Sequence, residues 1–236
     1  MKKLISVYCI AYLALLAVVV VLLCAYPKLE LHLMLNSVHT RLLDTFFKYY
    51  SMIAEGPIYV LALLPIFWKK IRLTLFFALS ELTGGGLLQI LKHSISTSRP
   101  ISMFENYQGA VLPLVQGVDM HHGNSFPSGH ASTFFVFSTC CALLLAYHYR
   151  QRPFRLVPKG WAVSLAMLAL LILAALGAYS RVYLSQHFLS DVCVGSIIGF
   201  ATPCLFFYFA GNKILKLNSN ETTSHDETIA QNTTKG

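Results

Sequence analysis

Residues 124–133 read NSFPSGHAST, and the chain runs on from there into FFVFSTCCALLLAYHY. A serine, a glycine and a histidine therefore stand at the threshold of an apolar run long enough to cross a bilayer. Pro127 stiffens the approach, Ser128 suits an N-cap, and Gly129 leaves room for a ligand against the backbone. A helix that starts here points unpaired N–H groups and a partial positive charge at whatever lies before it, which makes an anion site. His130 would stand in the first turn, beside that anion. The plainer alternative is ordinary capping with a chance histidine.

The rest of the 236 residues sets the surroundings of that helix. Hydrophobic residues make up 56%, charged residues 12%, and mean hydropathy is +0.59. That is too little charge to cover a soluble domain of this size, so the chain reads as a polytopic membrane protein. Its apolar runs predict an all-α bundle of six spans, at about 4–26, 52–68, 71–92, 129–147, 161–180 and 188–210. The first follows Lys2 and Lys3, and its length and lack of a small-residue cleavage site favour a retained helix over a signal peptide. Residues 27–51, with LLDTFFKYY, suit an amphipathic interfacial helix in which Asp44, Phe46 and Phe47 serve as anchoring. The spans fill one domain over 1–218, and the polar tail 219–236 is expected to be disordered.

The net charge of +8 does not mark a nucleic-acid binder, because the cations lie in short runs between apolar segments. A cytoplasmic N-terminus leaves Lys28, Arg41, Lys48, Lys92, Arg99 and Arg181 outside and the other twelve of 18 inside, as the positive-inside rule requires. Three of the outer six sit beside membrane segments and need a reason. The six cysteines all fall in apolar runs without metal-ligand spacing, so they read as small buried thiols, and no metal or cofactor is implied.

Two further polar clusters share the outer face with NSFPSGHAST. In KHSISTSRP, Lys92 and Arg99 are seven apart, so two helical turns would put them on one face. Pro100 ends such a helix near Arg99. A fork and a point charge held close suit phosphate, although cations snorkelling to the headgroups would look the same. In SRVYLSQHFLSDV, Arg181 ends the fifth span and His187 precedes Asp191 by four, so a helix would bring the two into contact. A carboxylate against one imidazole nitrogen fixes the tautomer and stabilises charge as the other nitrogen reacts. An Asp one turn into a membrane span is itself a functional candidate.

Three cations, a helix N-terminus, two histidines and one carboxylate on one membrane face describe a metal-free phosphoryl-transfer site. Glu81, in mid-span, reads as an interhelical hydrogen-bonding group, the Gly84–Gly86 triplet as a helix contact face, and His121 and His122 as exposed loop residues.

KHSISTSRP, PSGH and SRVYLSQHFLSD together resemble the three signatures of the type 2 phosphatidic acid phosphatase superfamily, in its integral membrane branch. The resemblance implies that His187 attacks phosphorus to form a phosphohistidine, that Asp191 orients it, and that His130 protonates the leaving group and then activates water. It implies that Lys92, Arg99, Arg181, the Ser128 hydroxyl and the Gly129 amide hold the phosphoryl oxygens. The residues support the same division: Asp191 stands one turn from His187, whereas His130 has no carboxylate within four positions. Opposite protonation states of the two rings predict a bell-shaped pH profile. The expected substrate is a membrane lipid phosphate at the periplasmic face of a bacterial inner membrane, with both termini cytoplasmic. Lipid A is slightly favoured over undecaprenyl diphosphate and phosphatidylglycerol phosphate. A lipid phosphotransferase and a non-catalytic phospholipid binder remain as alternatives.

Overall fold

The computed structural model describes residues 2–56, 71–105, 107, 110–151 and 160–216. Among them the chain is all-helical: α1 (Lys2–Ala25), α2 (Lys28–Leu35), α3 (Arg41–Met52), α4 (Ile71–Ser94), α5 (Pro100–Phe104), α6 (Gly129–Gln151), α7 (Gly160–Tyr183) and α8 (Leu189–Lys216). Five of these, α1, α4, α6, α7 and α8, are long and apolar enough to span a membrane. Twenty-four residues, as in α1, α4 and α7, rise about 36 Å, enough for a hydrocarbon core of about 30 Å. Most of the expected second span, 52–68, and the whole tail 219–236 lie outside the described residues; Met52 itself closes α3.

Helix α6 is the hub, packed against α4, α7 and α8. Two glycines on α8 permit the closest approach. A Cβ at Gly195 would strike the Ser128 carbonyl, and one at Gly199 would strike that of Ser132. Close backbone approach through small residues is how membrane helices gain packing when lipid is as apolar as their side chains. The glycine triplet contributes less than expected: only Gly84 meets neighbours, Ser132 Oγ and Thr202 Oγ1 at 3.5 Å, while Gly85 and Gly86 face open space.

Polar side chains bind the apolar helices together. Tyr8 Oη on α1 hydrogen-bonds Ser138 Oγ at 2.9 Å and Thr139 Oγ1 at 3.1 Å on α6. Tyr12 stacks on Phe200 of α8 with centroids 4.1 Å apart. Thr133 Oγ1 donates to Glu81 Oε1 at 2.5 Å, the interhelical bond expected for that carboxyl. In lipid such groups have no water to turn to, so each fixes register as well as adding stability.

The segment between the first two spans is two helices rather than one, and it does more than anchor. Phe47 is buried with Val115, Tyr183 and Leu184. Asp44 Oδ1 accepts from Tyr183 Oη at 2.6 Å and faces His39 Nδ1 at 2.8 Å. Reading Asp44 as an interfacial anchor is therefore corrected: it ties α3 to the end of α7.

Candidate active site

The three polar clusters meet at one end of the bundle. Asn124 joins the first to the second. Its Nδ2 donates to the carbonyls of Lys92 and Ile95, both at 2.6 Å, and its Oδ1 accepts from Thr97 N at 2.9 Å and Phe126 N at 3.2 Å. Ser125 N also donates to Thr97 O at 2.9 Å. The second joins the third through Ser128 N, which donates to Asp191 O at 3.0 Å.

Lys92 and Arg99 do not share a helix face. Helix α4 stops at Ser94, and Arg99, with extended dihedrals, caps the short α5 that Pro100 begins. The extended stretch carries Arg99 toward the third cluster, where its Nη1 donates to Gln186 O at 3.0 Å. Gln186 is in turn held by its Nε2 on Asp119 O at 2.8 Å. Arg99 and Arg181 are only 9% and 7% exposed, and the Nε of each is buried without a hydrogen-bond partner. Burying unpaired guanidinium donors is costly unless an anion meets them.

Helix α6 begins at Gly129, as the capping signature predicts, with Ala131 N donating to Ser128 Oγ at 3.4 Å. A Cβ at Gly129 would meet nothing within 4 Å, so space lies open against the helix N-terminus. His130, in the first turn, lies in the electrostatic field of Arg181, His187, Lys92 and Arg99.

His187 and Asp191 come together, but not on a shared helix face. Helix α8 starts at Leu189, and His187 precedes it in a turn whose N–H donates to Arg181 O at 3.1 Å. Asp191 Oδ2 reaches back to accept from Phe188 N at 3.0 Å, capping its own helix. His187 Nδ1 stands 3.6 Å from that oxygen, too far for a good hydrogen bond. Ser125 fills the interval. Its Oγ donates to Asp191 Oδ2 at 2.5 Å and lies 3.4 Å from His187 Nδ1. Its one proton goes to the carboxylate, so its lone pairs face the ring and favour a proton on Nδ1. Nε2 is then left with its lone pair. Burial pushes the His187 ring down to about 4, with Arg99 and Arg181 adding to the effect, so it is neutral at ordinary pH.

Sequence reasoning missed Ser125, Asn124 and Gln186. The first two lie within NSFPSGHAST, but a lone polar residue in a loop has no periodicity to mark it. A polar cleft of about 680 Å³ opens beyond Lys92 and Arg99, lined also by Gln89, His93, His121 and His122. The last two are exposed, as expected, with His122 Nε2 3.5 Å from Glu105 Oε1 at the rim.

A lattice of apolar spans that buries cations and a carboxylate-backed imidazole at one end defines a membrane-embedded phosphoryl-transfer enzyme. Residues 73–215 match the PAP2 superfamily, and the chain belongs to that superfamily of membrane lipid phosphatases, which are phosphoric ester hydrolases. Two crystal structures share its fold. LpxE of Aquifex aeolicus is 23% identical at a TM-score of 0.59, covering 77% of this chain and 95% of its own. A transmembrane PAP2-type phosphatidylglycerolphosphate phosphatase of Bacillus subtilis is 21% identical at 0.58, covering 90% of this chain and 98% of its own. Comparison with curated proteins returned no match.

Proposed function

We propose that this chain hydrolyses a phosphate ester or diphosphate of a membrane lipid through a phosphohistidine on His187, without a metal. The observation that carries the reading is the Asp191–Ser125–His187 arrangement, which engages Nδ1 and leaves the Nε2 lone pair of a neutral ring free, in the field of the buried Arg99 and Arg181. Nε2 attacks phosphorus and forms the N–P bond as the P–O bond to the lipid or phosphate leaving group breaks. His130 gives its proton to the departing oxygen. Water then attacks the phosphoenzyme, loses its proton to His130, and the N–P bond breaks to release phosphate and neutral His187. Lys92, Arg99, Arg181, the Ser128 hydroxyl and the Gly129 amide hold the three non-bridging oxygens. Stabilisation of charge by fixed donors supplies most of the acceleration. Asp191 is already engaged by Ser125 and Phe188, which leaves little for a metal.

Two cavities support a lipid with a substantial headgroup. An apolar cavity of about 540 Å³ between α1, α6, α7 and α8 reaches Leu189 and Val192, on either side of Asp191. It suits an acyl chain. The polar cleft beside Lys92 and Arg99 suits a headgroup that extends beyond the reacting phosphoryl group. A bulky envelope lipid such as lipid A is favoured on that ground, with undecaprenyl diphosphate and phosphatidylglycerol phosphate next. The site faces the periplasm of a bacterial inner membrane, with the N-terminus cytoplasmic.

Purified enzyme assayed against those three lipids, with free phosphate and phosphorylated acceptor both measured, tests the substrate and separates hydrolysis from transfer. His187→Ala abolishes turnover on every one of them if the reading holds; retained function would identify a binder. EDTA leaves the rate unchanged. Membrane-impermeant thiol labelling of single cysteines placed at 111–123 reads the orientation, and labelling only from the cytoplasmic side would reverse it.

A further inference from the structure

Ser185, two residues before His187, has φ +54°, and it is the non-glycine residue with positive φ among the described residues. A side chain there crowds the backbone, so serine does not hold this turn unaided. The surroundings hold it instead. Asn36 Nδ2 donates to Ser185 Oγ at 2.6 Å, Ser185 Oγ donates to Pro113 O at 3.1 Å, and His32 Nε2 lies 3.4 Å away. Asn36, His32 and Ser185 are at most 1% exposed.

Asn36 is itself fixed. His39 Nε2 donates to its Oδ1 at 2.7 Å, and the other nitrogen of His39 faces Asp44. Nearby, His32 packs edge-on to Phe188 with centroids 5.2 Å apart, and Lys28 Nζ lies 4.0 Å over the same ring. The segment from Lys28 to Asp44 thus grips the chain on both sides of His187. All of it lies before residue 73, where the family match begins.

We propose that Asn36 is a positioning residue for the reaction: by holding the Ser185 hydroxyl it maintains a left-handed turn that sets the place of His187. The proposal rests on the phosphatase reading of that histidine. It makes a specific claim about epistasis. If Asn36 serves to keep a non-glycine residue left-handed, it becomes dispensable once that residue is glycine, for which the turn costs nothing.

The test is steady-state kinetics of purified full-length variants on a phosphorylated lipid that the wild type turns over, with thermal unfolding in parallel. Asn36→Ala and Ser185→Ala lower kcat about tenfold, since a small misplacement of a reacting group is enough, and leave KM within about twofold. Ser185→Gly alone stays within about threefold of wild type, and Asn36→Ala/Ser185→Gly recovers to the same level. A merely structural Asn36 would not be rescued by a change that also removes its hydroxyl partner. Wild-type kcat in Asn36→Ala, or a loss that persists in the double variant, overturns the proposal and leaves the phosphatase reading standing. A wild type inactive on every phosphorylated lipid overturns both.

Discussion

The two histidines of the site are held in opposite ways. His187 is 3% exposed, its ring faces Ser125 and Asp191, its N–H is bonded to Arg181 O, and its turn is gripped by the segment before the second span. His130 sits in the first turn of α6, partly exposed, with no hydrogen-bond partner for its ring among the described residues. The difference matches the demands of the proposed chemistry. A nucleophile must meet phosphorus along one line, whereas a proton donor must follow the leaving oxygen and later receive a proton from water arriving in its place. In the proposed mechanism, fixing one ring and leaving the other adaptable lets one site serve both half-reactions.

Removing each ring in turn separates the two roles most strongly. His187→Ala lowers kcat by at least about 10⁴-fold whatever the leaving group, because no bond to phosphorus can form. His130→Ala costs about 10²–10⁴-fold on an alkyl phosphate. With an aryl phosphate, whose leaving group needs no proton, the deficit in the burst phase shrinks to within about tenfold. Equal sensitivity of both variants to the leaving group would erase the distinction.

A smaller effect is expected at Ser125. Ser125→Ala leaves the His187–Asp191 gap of 3.6 Å unfilled and removes the hydroxyl that sets the tautomer. The kcat falls about ten- to hundredfold with KM little changed, as for loss of an orienting group rather than a reacting one. An unaltered kcat would mean that the ring and carboxylate communicate without it.

The smallest effect is in the pH profile. Burial holds the free enzyme's His187 near 4, so the neutral form persists to well below the ordinary value of 6.5. The acid limb of kcat/KM therefore lies below pH 5. Between pH 7 and 5 the loss stays under about twofold, against about 25-fold for a ring titrating at 6.5. The same shift makes the fold less stable as pH falls from about 6.5 toward 4, because the unfolded ring takes up a proton that the folded one refuses.

The three clusters and their meeting point were legible because each carries charge into an apolar context, where it needs a reason. The start of α6 was legible because Ser128, Gly129 and the apolar run after them specify a helix N-terminus. Pairings across the chain were less so. Periodicity put Lys92 and Arg99 on one helix face, but α4 ends at Ser94 because Asn124 captures the carbonyls of Lys92 and Ile95. Ser125 and Asn36 act on partners 62 and 149 residues away, and neither spacing leaves a local pattern. Asp44 looked like an anchor because its neighbours are aromatic; Tyr183, its partner, ends a helix far along the chain. Glu81 was read correctly because a carboxyl in mid-span must find a donor, and Thr133 is that donor.

The phosphoenzyme itself offers the most direct test. Enzyme mixed with a lipid labelled in its phosphate, stopped in alkali within one turnover and mapped by mass spectrometry, should carry phosphate on His187, lost in acid and stable in base. His187→Ala should carry none. Label on any other residue, or full turnover with no acid-labile intermediate at any time point, would contradict the account.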